Sequence, residues 1–369
     1  MRILCQKSDL LNGLNIVSKA VPSKTTMSIL ECILVDSTNG NIKLTANDME
    51  LGIETIVDGQ IIEKGIVALD AKIFFDIVRK LPDGVVNIDT DDDFKTYIKC
   101  EKAKFTIIGK SGEEFSYLPQ IEKINPLIIT QMTLKDVIRQ TIFSVAENDS
   151  NKIMCGVYFD INGEKLRVAT LDGHRISIRN VILKNSYSEK KVIIPGKTLN
   201  EISKILTGSA DEDVYVYFTD KHVVFDFDKT TVVSRIIEGE YFKVDQMLKS
   251  NYETKLTINK KDFLSCIDRA TLLVKEGDKK PIIFSINDSS IELKINSAIG
   301  SMNEDIDIVK EGKDLMIGFN PKFLIDALKV IDDENIDMYL FNSKAPCFIK
   351  DKEENYIYLV LPVNFNNVG

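Results

Sequence analysis

At 369 residues, 44% of them apolar and 28% charged, the chain is long enough to bury large cores over two or three domains. No apolar run approaches the ~20 residues a membrane span needs, and Met1 to Leu10 lacks the apolar stretch of a signal peptide, so a cytoplasmic protein without membrane contact is expected. A formal net charge of −9 speaks against an ordinary basic nucleic-acid binder, and six scattered cysteines with no CxxC pair suit buried free thiols better than disulfides or a zinc site.

The first predicted element is an amphipathic helix carrying Leu10, Leu14 and Val17, followed by strand-like alternation such as Ile42 to Ala46. A second helix opens at Ala71-Lys72-Ile73-Phe74 and buries Phe74, Ile77 and Leu81, a spacing of three, four and seven that marks one apolar face. The same order then returns. A helix with Val137, Ile138 and Val145 precedes strand signals at Leu166 to Ala169 and a helix at Gly196-Lys197-Thr198-Leu199, whose buried face is Leu199, Ile202 and Leu206. In the third copy, Phe263, Ile267 and Ala270 mark the first helix; Pro321-Lys322-Phe323-Leu324 opens the second, with Leu324, Ala327 and Ile331 inward. The period is near 125 residues. Alternating runs at Val214 to Phe218, Val223 to Phe227 and Ile336 to Leu340 read as half-buried strands bounded by turns. Each copy is therefore an α+β unit of two helices on antiparallel sheets, with domains expected over 1–125, 126–252 and 253–369. Repeats joined by closing interfaces favour rings or arcs.

The second helices also repeat their charges: Lys72, Lys197 and Lys322 match, as do Arg79, Lys204 and Lys329 two helical turns later. Around a hole, such helices would meet phosphates without reading bases. Asp76, Glu201 and Asp326 lie between the cations, so an i,i+4 ladder on a solvated face, stabilising by only ~0.2–0.5 kcal/mol per pair, explains the same stripe. Lys19, Lys135, Arg139, Lys260 and Arg269 on the first helices add to a basic surface.

Several motifs imitate sites and fail. Gly109-Lys110-Ser111 ends like a phosphate-binding loop, but Lys104 stands where its first glycine belongs. Asp89, Asp91 and Asp93 begin a calcium loop that breaks at Phe94 and Cys100. The two histidines, His174 and His222, have no Cys or His at metal-ligand spacing, so neither metal nor cofactor is expected. Asp172-Gly173-His174-Arg175 has acid–base chemistry but no nucleophile beside it; it reads as a turn between Leu166 to Thr170 and Ile176 to Asn180 with an exposed binding role.

Together with the triplication and matched lysines, the stretch Thr170-Leu171-Asp172-Gly173-His174-Arg175 and the ending Leu359-Val360-Leu361-Pro362-Val363 resemble the bacterial DNA polymerase III beta subunits, the beta sliding clamps. Ile29-Leu30, Phe74-Phe75-Asp76, Leu81-Pro82-Asp83-Gly84 and Glu238-Gly239 match in the same order, so the likeness covers the whole chain. It implies a non-enzymatic, ring-forming head-to-tail homodimer with helices lining a central hole for double-stranded DNA and sheets outside. It further implies docking of the replicative DNA polymerase alpha subunit, the clamp-loader complex, and other polymerases and repair proteins through short hydrophobic motifs.

The family's DNA contacts fall on Lys24 and Lys72, with Asn148, Lys152 and Ile153 in a loop. Its peptide pocket falls on Met154, Leu171, Gly173, His174, Arg175, Ile176, Phe242, Met247, Val360, Leu361, Pro362 and Val363. Ring closure falls on Phe105 against Leu272 and Leu273. The sequence departs from the family pattern at Phe242, at Gln246 and in the tail Asn364 to Gly369. Two rival readings remain: an enzyme acting at His174 with Asp172 and Arg175, and a scaffold that never touches DNA.

Overall fold

The structure is a computed structural model and describes residues 1–147, 150–248, 251–274 and 280–365. The first stretch runs β1 (Arg2–Gln6), α1 (Lys7–Val17), β2 (Cys32–Asp36), β3 (Ile42–Asn47), β4 (Leu51–Val57), β5 (Gly59–Glu63), β6 (Ile66–Asp70), α2 (Ala71–Lys80), β7 (Val85–Thr90), β8 (Lys95–Cys100), β9 (Ala103–Ile108) and β10 (Lys110–Ser111). Next come β11 (Leu127–Thr130), α3 (Gln131–Thr141), β12 (Gly156–Leu171), β13 (Arg175–Pro195), α4 (Gly196–Ile205), β14 (Asp213–Phe218), β15 (His222–Phe227), β16 (Thr230–Arg235) and α5 (Val244–Met247). The last stretch holds β17 (Thr254–Asn259), α6 (Lys260–Thr271), β18 (Ile282–Ile286), β19 (Ser290–Ser297), β20 (Gly300–Gly312), β21 (Leu315–Phe319), α7 (Pro321–Leu328), β22 (Asn335–Leu340), β23 (Cys347–Lys350) and β24 (Tyr356–Val360).

The helices start where a side chain can accept the first free amides. Asp70 caps α2 by accepting from the Ile73 N–H, Asn259 caps α6, and Asn320 caps α7 ahead of Pro321 in the first turn. The repeated apolar faces are buried as expected: Phe74, Leu199, Leu324, Ile202 and Ala327 are fully enclosed, and Ile77 is half-buried. Several helices end earlier than the sequence expectation: Leu81, Leu206 and Ile331 are buried but lie past the ends of α2, α4 and α7, and Lys19 lies past α1. Helix α3 ends at Thr141, so Val145 lies beyond it and past a short turn over Ile142–Ser144. Helix α7 ends at Leu328, and Lys329 is its C-cap rather than a helical residue.

The chain separates into two compact units that do not follow the sequence repeats. One comprises Met1–Leu134 with Asn200–Ile236, the other Lys135–Leu199 with Ile237–Gly369. The first holds a five-stranded sheet (β5-β1-β7-β8-β9) and a nine-stranded sheet (β10-β6-β2-β3-β4-β16-β15-β14-β11). The second holds a ten-stranded sheet, β12-β13-β24-β23-β22-β17-β20-β19-β18-β21.

The reason is strand pairing across repeats. In the first unit β16 pairs antiparallel with β4, Val233 opposite Gly52; in the second β24 pairs with β13, Leu359 opposite Ile176. The residues of the second pair lie 124 and 126 positions after those of the first, and the Arg235 amide donating to the Glu50 carbonyl is matched by the Leu361 amide donating to the His174 carbonyl, so one junction is repeated. Slipping either ladder by one residue would turn its buried face to solvent, which is why the register is strongly specified.

The core of the second unit is aromatic at its centre, with Phe263, Phe284 and Phe319 fully buried and successive ring centroids 5.6 and 5.5 Å apart. Cys5, Cys32, Cys100, Cys266 and Cys347 are buried and free; Cys155 is half-buried. Burial, reinforced by Asp9, pushes the Cys5 thiol up to about 12 from 9.0, and burial likewise raises Cys347. It raises the enclosed phenols of Tyr356 and Tyr358 too.

These groups stay neutral in the folded state while the unfolded chain ionises, so their contribution is complete below the unfolded pKa and is lost as pH rises through the folded one. The unfolding free energy from urea titrations is expected to fall steadily from pH 9 to 11, by up to about 1.4 kcal/mol per pH unit for each fully buried thiol. A flat profile over that range would contradict the burial. At neutral pH a thiol reagent should modify Cys155 rapidly and the other five only on unfolding.

Candidate nucleic-acid face and peptide pocket

Lys24, Lys72, Lys152, Lys197, Lys322 and Lys329 are all exposed, and so are Arg79 and Lys204. The expected ladder forms in two copies, at spacing three rather than four: Arg79 pairs with Asp76 at 2.7 Å and Lys204 with Glu201 at 2.8 Å. In the third copy Asp326 turns away from the stripe and pairs with Arg175. Lys24, Lys72, Lys152, Lys322 and Lys329 carry no ion pair among the described residues. Asn148 lies outside the described residues, and Ile153 is half-buried.

The first helices contribute less free charge than their sequence suggests. Arg139 is held by Asp136 and Asp332, Lys260 donates to the Ile331 carbonyl, and Arg269 chelates Glu304. In the first unit α1 and the end of α4 border a polar cavity of about 520 Å³, lined among others by Lys19, Lys204 and Lys229 with Asp9, Asp58 and Asp228. Lys229 is already neutralised there by Asp58 at 2.5 Å.

The second unit gathers four of the expected pocket residues, Met154, Leu171, Ile176 and Phe242, into one apolar cluster. Leu171, Ile176, Val244, Phe348 and Leu359 form its buried floor, with Met154, Phe242 and Leu248 packed at the margin. Met247, at the end of α5, is 44% exposed, and Leu361 is 37% exposed; both offer apolar surface to a ligand. The Leu361 amide donates to the His174 carbonyl at 2.9 Å and the Val363 amide to the Gly318 carbonyl at 2.8 Å, fixing the end of the chain, with half-buried Pro362, along this margin. Val360 sits elsewhere: it is fully buried in the neighbouring core with Tyr356 and Tyr358.

The Asp172–Arg175 turn is built as the sequence suggests. Gly173 takes φ +85°, a conformation that favours glycine, and the Asp172 carboxylate accepts from the His174 and Arg175 amides. A Cβ on Gly173 would lie 3.5 Å from the Met154 methyl, so that thioether covers the turn. His174 is exposed and stacks on Phe323 with centroids 5.9 Å apart.

Arg175 is the polar anchor. It is 7% exposed, its Nε donates to Asp172 at 2.8 Å, one terminal nitrogen to Asp326 at 2.7 Å, and the other to the Phe143 carbonyl. Its guanidinium also lies 4.5 Å from the Phe323 ring centroid. A buried cation held by two carboxylates and a carbonyl braces the turn, and His174 with the apolar rim is what stays exposed.

Sequence reasoning missed Tyr241, which stacks flat on Tyr158 at 4.7 Å, and also Val244, Phe348 and Asp326. The aromatic pair Tyr241-Phe242 after Glu238-Gly239 was a usable signal; the Arg175–Asp326 pairing, 151 residues apart, had none. Phe105 on β9 is 41% exposed and Leu272 78% exposed, while Leu273 is half-buried beside Gly300.

Family models described as the N-terminal, central and C-terminal domains of the DNA polymerase III beta subunit match residues 1–119, 128–243 and 245–364. A beta sliding clamp of Staphylococcus epidermidis is 34% identical over 374 aligned positions, covering 98% of this chain and 99% of the relative. Among solved structures, a putative DNA polymerase III beta subunit from Eubacterium rectale is 67% identical with a TM-score of 0.96, covering 99% of this chain and 100% of that one. The DNA polymerase sliding clamp of Bacillus subtilis is 32% identical with a TM-score of 0.95, covering 99% of each chain.

Replacing Asp326 with Ala leaves the buried Arg175 guanidinium with one carboxylate instead of two. The second unit is expected to lose about 1–3 kcal/mol, read as a fall of several degrees in melting temperature. A change within about 0.5 kcal/mol would show that the pair does not brace the turn.

Proposed function

The chain belongs to the DNA polymerase III beta subunit family, and we propose that, as a DNA sliding clamp serving the replicative polymerase, it closes around duplex DNA as a head-to-tail homodimer of three-domain protomers. It is not an enzyme. The single observation that carries the ring is the repeated junction: β16 on β4 and β24 on β13 use the same edges in the same register. A third junction of that kind needs the outer edge of β9 and the Gly300–Asp307 end of β20, which pairs with β19 on one side. Supplied by two protomers, those edges make two symmetric contacts and close a ring without leaving a bare strand to aggregate. Phe105 on β9, with Leu272 and Leu273 beside the start of β20, supplies the apolar contact. The domain limits 1–125, 126–252 and 253–369 rest on the sequence period.

A closed ring cannot leave DNA sideways, so it needs no tight phosphate grip. Lys24, Lys72, Lys152, Lys197, Lys322 and Lys329, aided by the partly neutralised Arg79 and Lys204, give weak contacts that permit sliding despite the net charge of −9. Partners dock on the cluster around Leu171, Ile176, Phe242, Met247 and Leu361, where flexible methionines accept varied apolar side chains. Binding at roughly micromolar strength, about 8 kcal/mol, suffices when clamp and partner share one DNA molecule. The replicative polymerase alpha subunit, the clamp loader that opens the ring, and other polymerases and repair proteins compete for this surface in the cytoplasm.

After loader-assisted assembly, the protein should stay on nicked circular DNA and run off the same DNA once it is cut open; equal retention on both would mean ordinary surface binding. Changing Lys72, Lys197 and Lys322 together to Glu should abolish loading while leaving the dimer intact, and unchanged loading would assign those lysines to a solvated face. Met247→Ala should weaken a bound partner peptide about tenfold without altering dimerisation, the size expected for truncating an apolar contact.

A further inference from the structure

The repeated junction has a second product. The turn Asp48–Leu51 in the first unit copies Asp172–Arg175 bond for bond: Asp48 Oδ1 accepts from the Glu50 and Leu51 amides as Asp172 Oδ1 does from His174 and Arg175. The Arg235 amide donates to the Glu50 carbonyl at 2.9 Å, as the Leu361 amide does to His174 at 2.9 Å. Met49 occupies the position of Gly173, at φ +74° against +85°. Beside this turn lies a largely apolar cavity of about 250 Å³, bordered by Met49, Tyr117, Leu118, Pro119 and Val233, with His222 and Arg235 at its edge.

We infer that this cavity is a second peptide site, accepting one apolar side chain of an extended partner segment and a carboxylate close after it. The inference rests on the peptide-pocket reading above, because the backbone frame is the same. Three observations give the chemistry. Met49 is half exposed in a left-handed conformation that costs a methionine what it would not cost glycine, and it brings to the turn the thioether that Met154 lends to the other one. Tyr117 is 59% exposed, leaving a large ring beside the opening. Where the other pocket has the apolar Leu361, this one has Arg235, whose exposed guanidinium holds no ion pair or side-chain hydrogen bond among the described residues. Glu50, the acid on the same wall, forms no ion pair with it and does not neutralise it. The volume lies below the ~300 Å³ at which pockets begin to hold a whole small ligand, so a single anchoring side chain is the fitting occupant.

The test uses the full-length protein labelled with ¹³C at its methionine methyls and titrated with the peptide acetyl-Gly-Leu-Phe-Asp-Gly-amide. Met49 reports this site, Met154 and Met247 the other. The Met49 signal should move and saturate on its own isotherm, and should still do so in Met247→Ala. Arg235→Ala, or Asn for Asp in the peptide, should weaken the Met49 isotherm about three- to fivefold, with no further loss when combined. Met49→Gly, which relieves the left-handed backbone, keeps the fold and should lose peptide binding at this site, followed by the Tyr117 ring signals. Movement of Met154 and Met247 alone would overturn this inference and leave the pocket reading standing. No movement at any of the three would overturn both, and a Met49 isotherm indifferent to Arg235→Ala would overturn the carboxylate recognition.

Discussion

Two main-chain ladders, β16 on β4 and β24 on β13, decide how this chain is built. Each joins strands about 180 residues apart in sequence, and each fixes side-chain facing along one continuous sheet built from two repeats. The division into compact units follows from them, because the middle repeat gives β14 to β16 to one unit and β12 and β13 to the other. The position of the apolar cluster follows too. Ile176 and Leu359, a facing pair of the second ladder, lie in its buried floor, and the turn that carries His174 is the hairpin at the end of β12 and β13.

Polar groups at that turn are arranged for rigidity. Arg175 bonds through all three of its nitrogens, to Asp172, Asp326 and the Phe143 carbonyl, and lays its face on Phe323, so the apolar rim rests on a fixed base. Catalysis by the Asp172-Gly173-His174-Arg175 stretch finds no support in this arrangement: the Asp172 carboxylate is taken up by the turn amides and by Arg175, and the exposed His174 ring stacks on Phe323. Stacked and buried partners hold the geometry, while Met154 is only partly buried and Met247 and Leu361 are exposed.

The helices were legible because a buried helical face writes itself into sequence at intervals of three and four, and Phe74, Leu199 and Leu324 all proved fully enclosed. Alternation also located β14, β15 and β22 within a residue of their ends. The cation stripe was legible as composition and not as chemistry: Asp76, Glu201 and Asp326 look equivalent on paper, yet the third answers to Arg175, a partner fixed only once β13 and α7 pack. The likeness between Asp48–Leu51 and Asp172–Arg175 was hidden for a related reason. Only the aspartate is shared, and what repeats is a hydrogen-bond pattern that side-chain identity does not reveal.

Ribosomal synthesis meets an awkward order in this design. The first unit is interrupted: Met1–Leu134 lacks β14 to β16 until residues 200–236 have been made, so the edge of β4 waits for its partner while Lys135–Leu199 is translated. At about 5–20 residues per second that wait lasts several seconds, and the edge of β13 then waits in turn for β24 near the very end of the chain. The nascent protein thus carries an uncovered strand edge from the making of β4 until its partners follow, the interval in which such an edge is open to pairing with another chain.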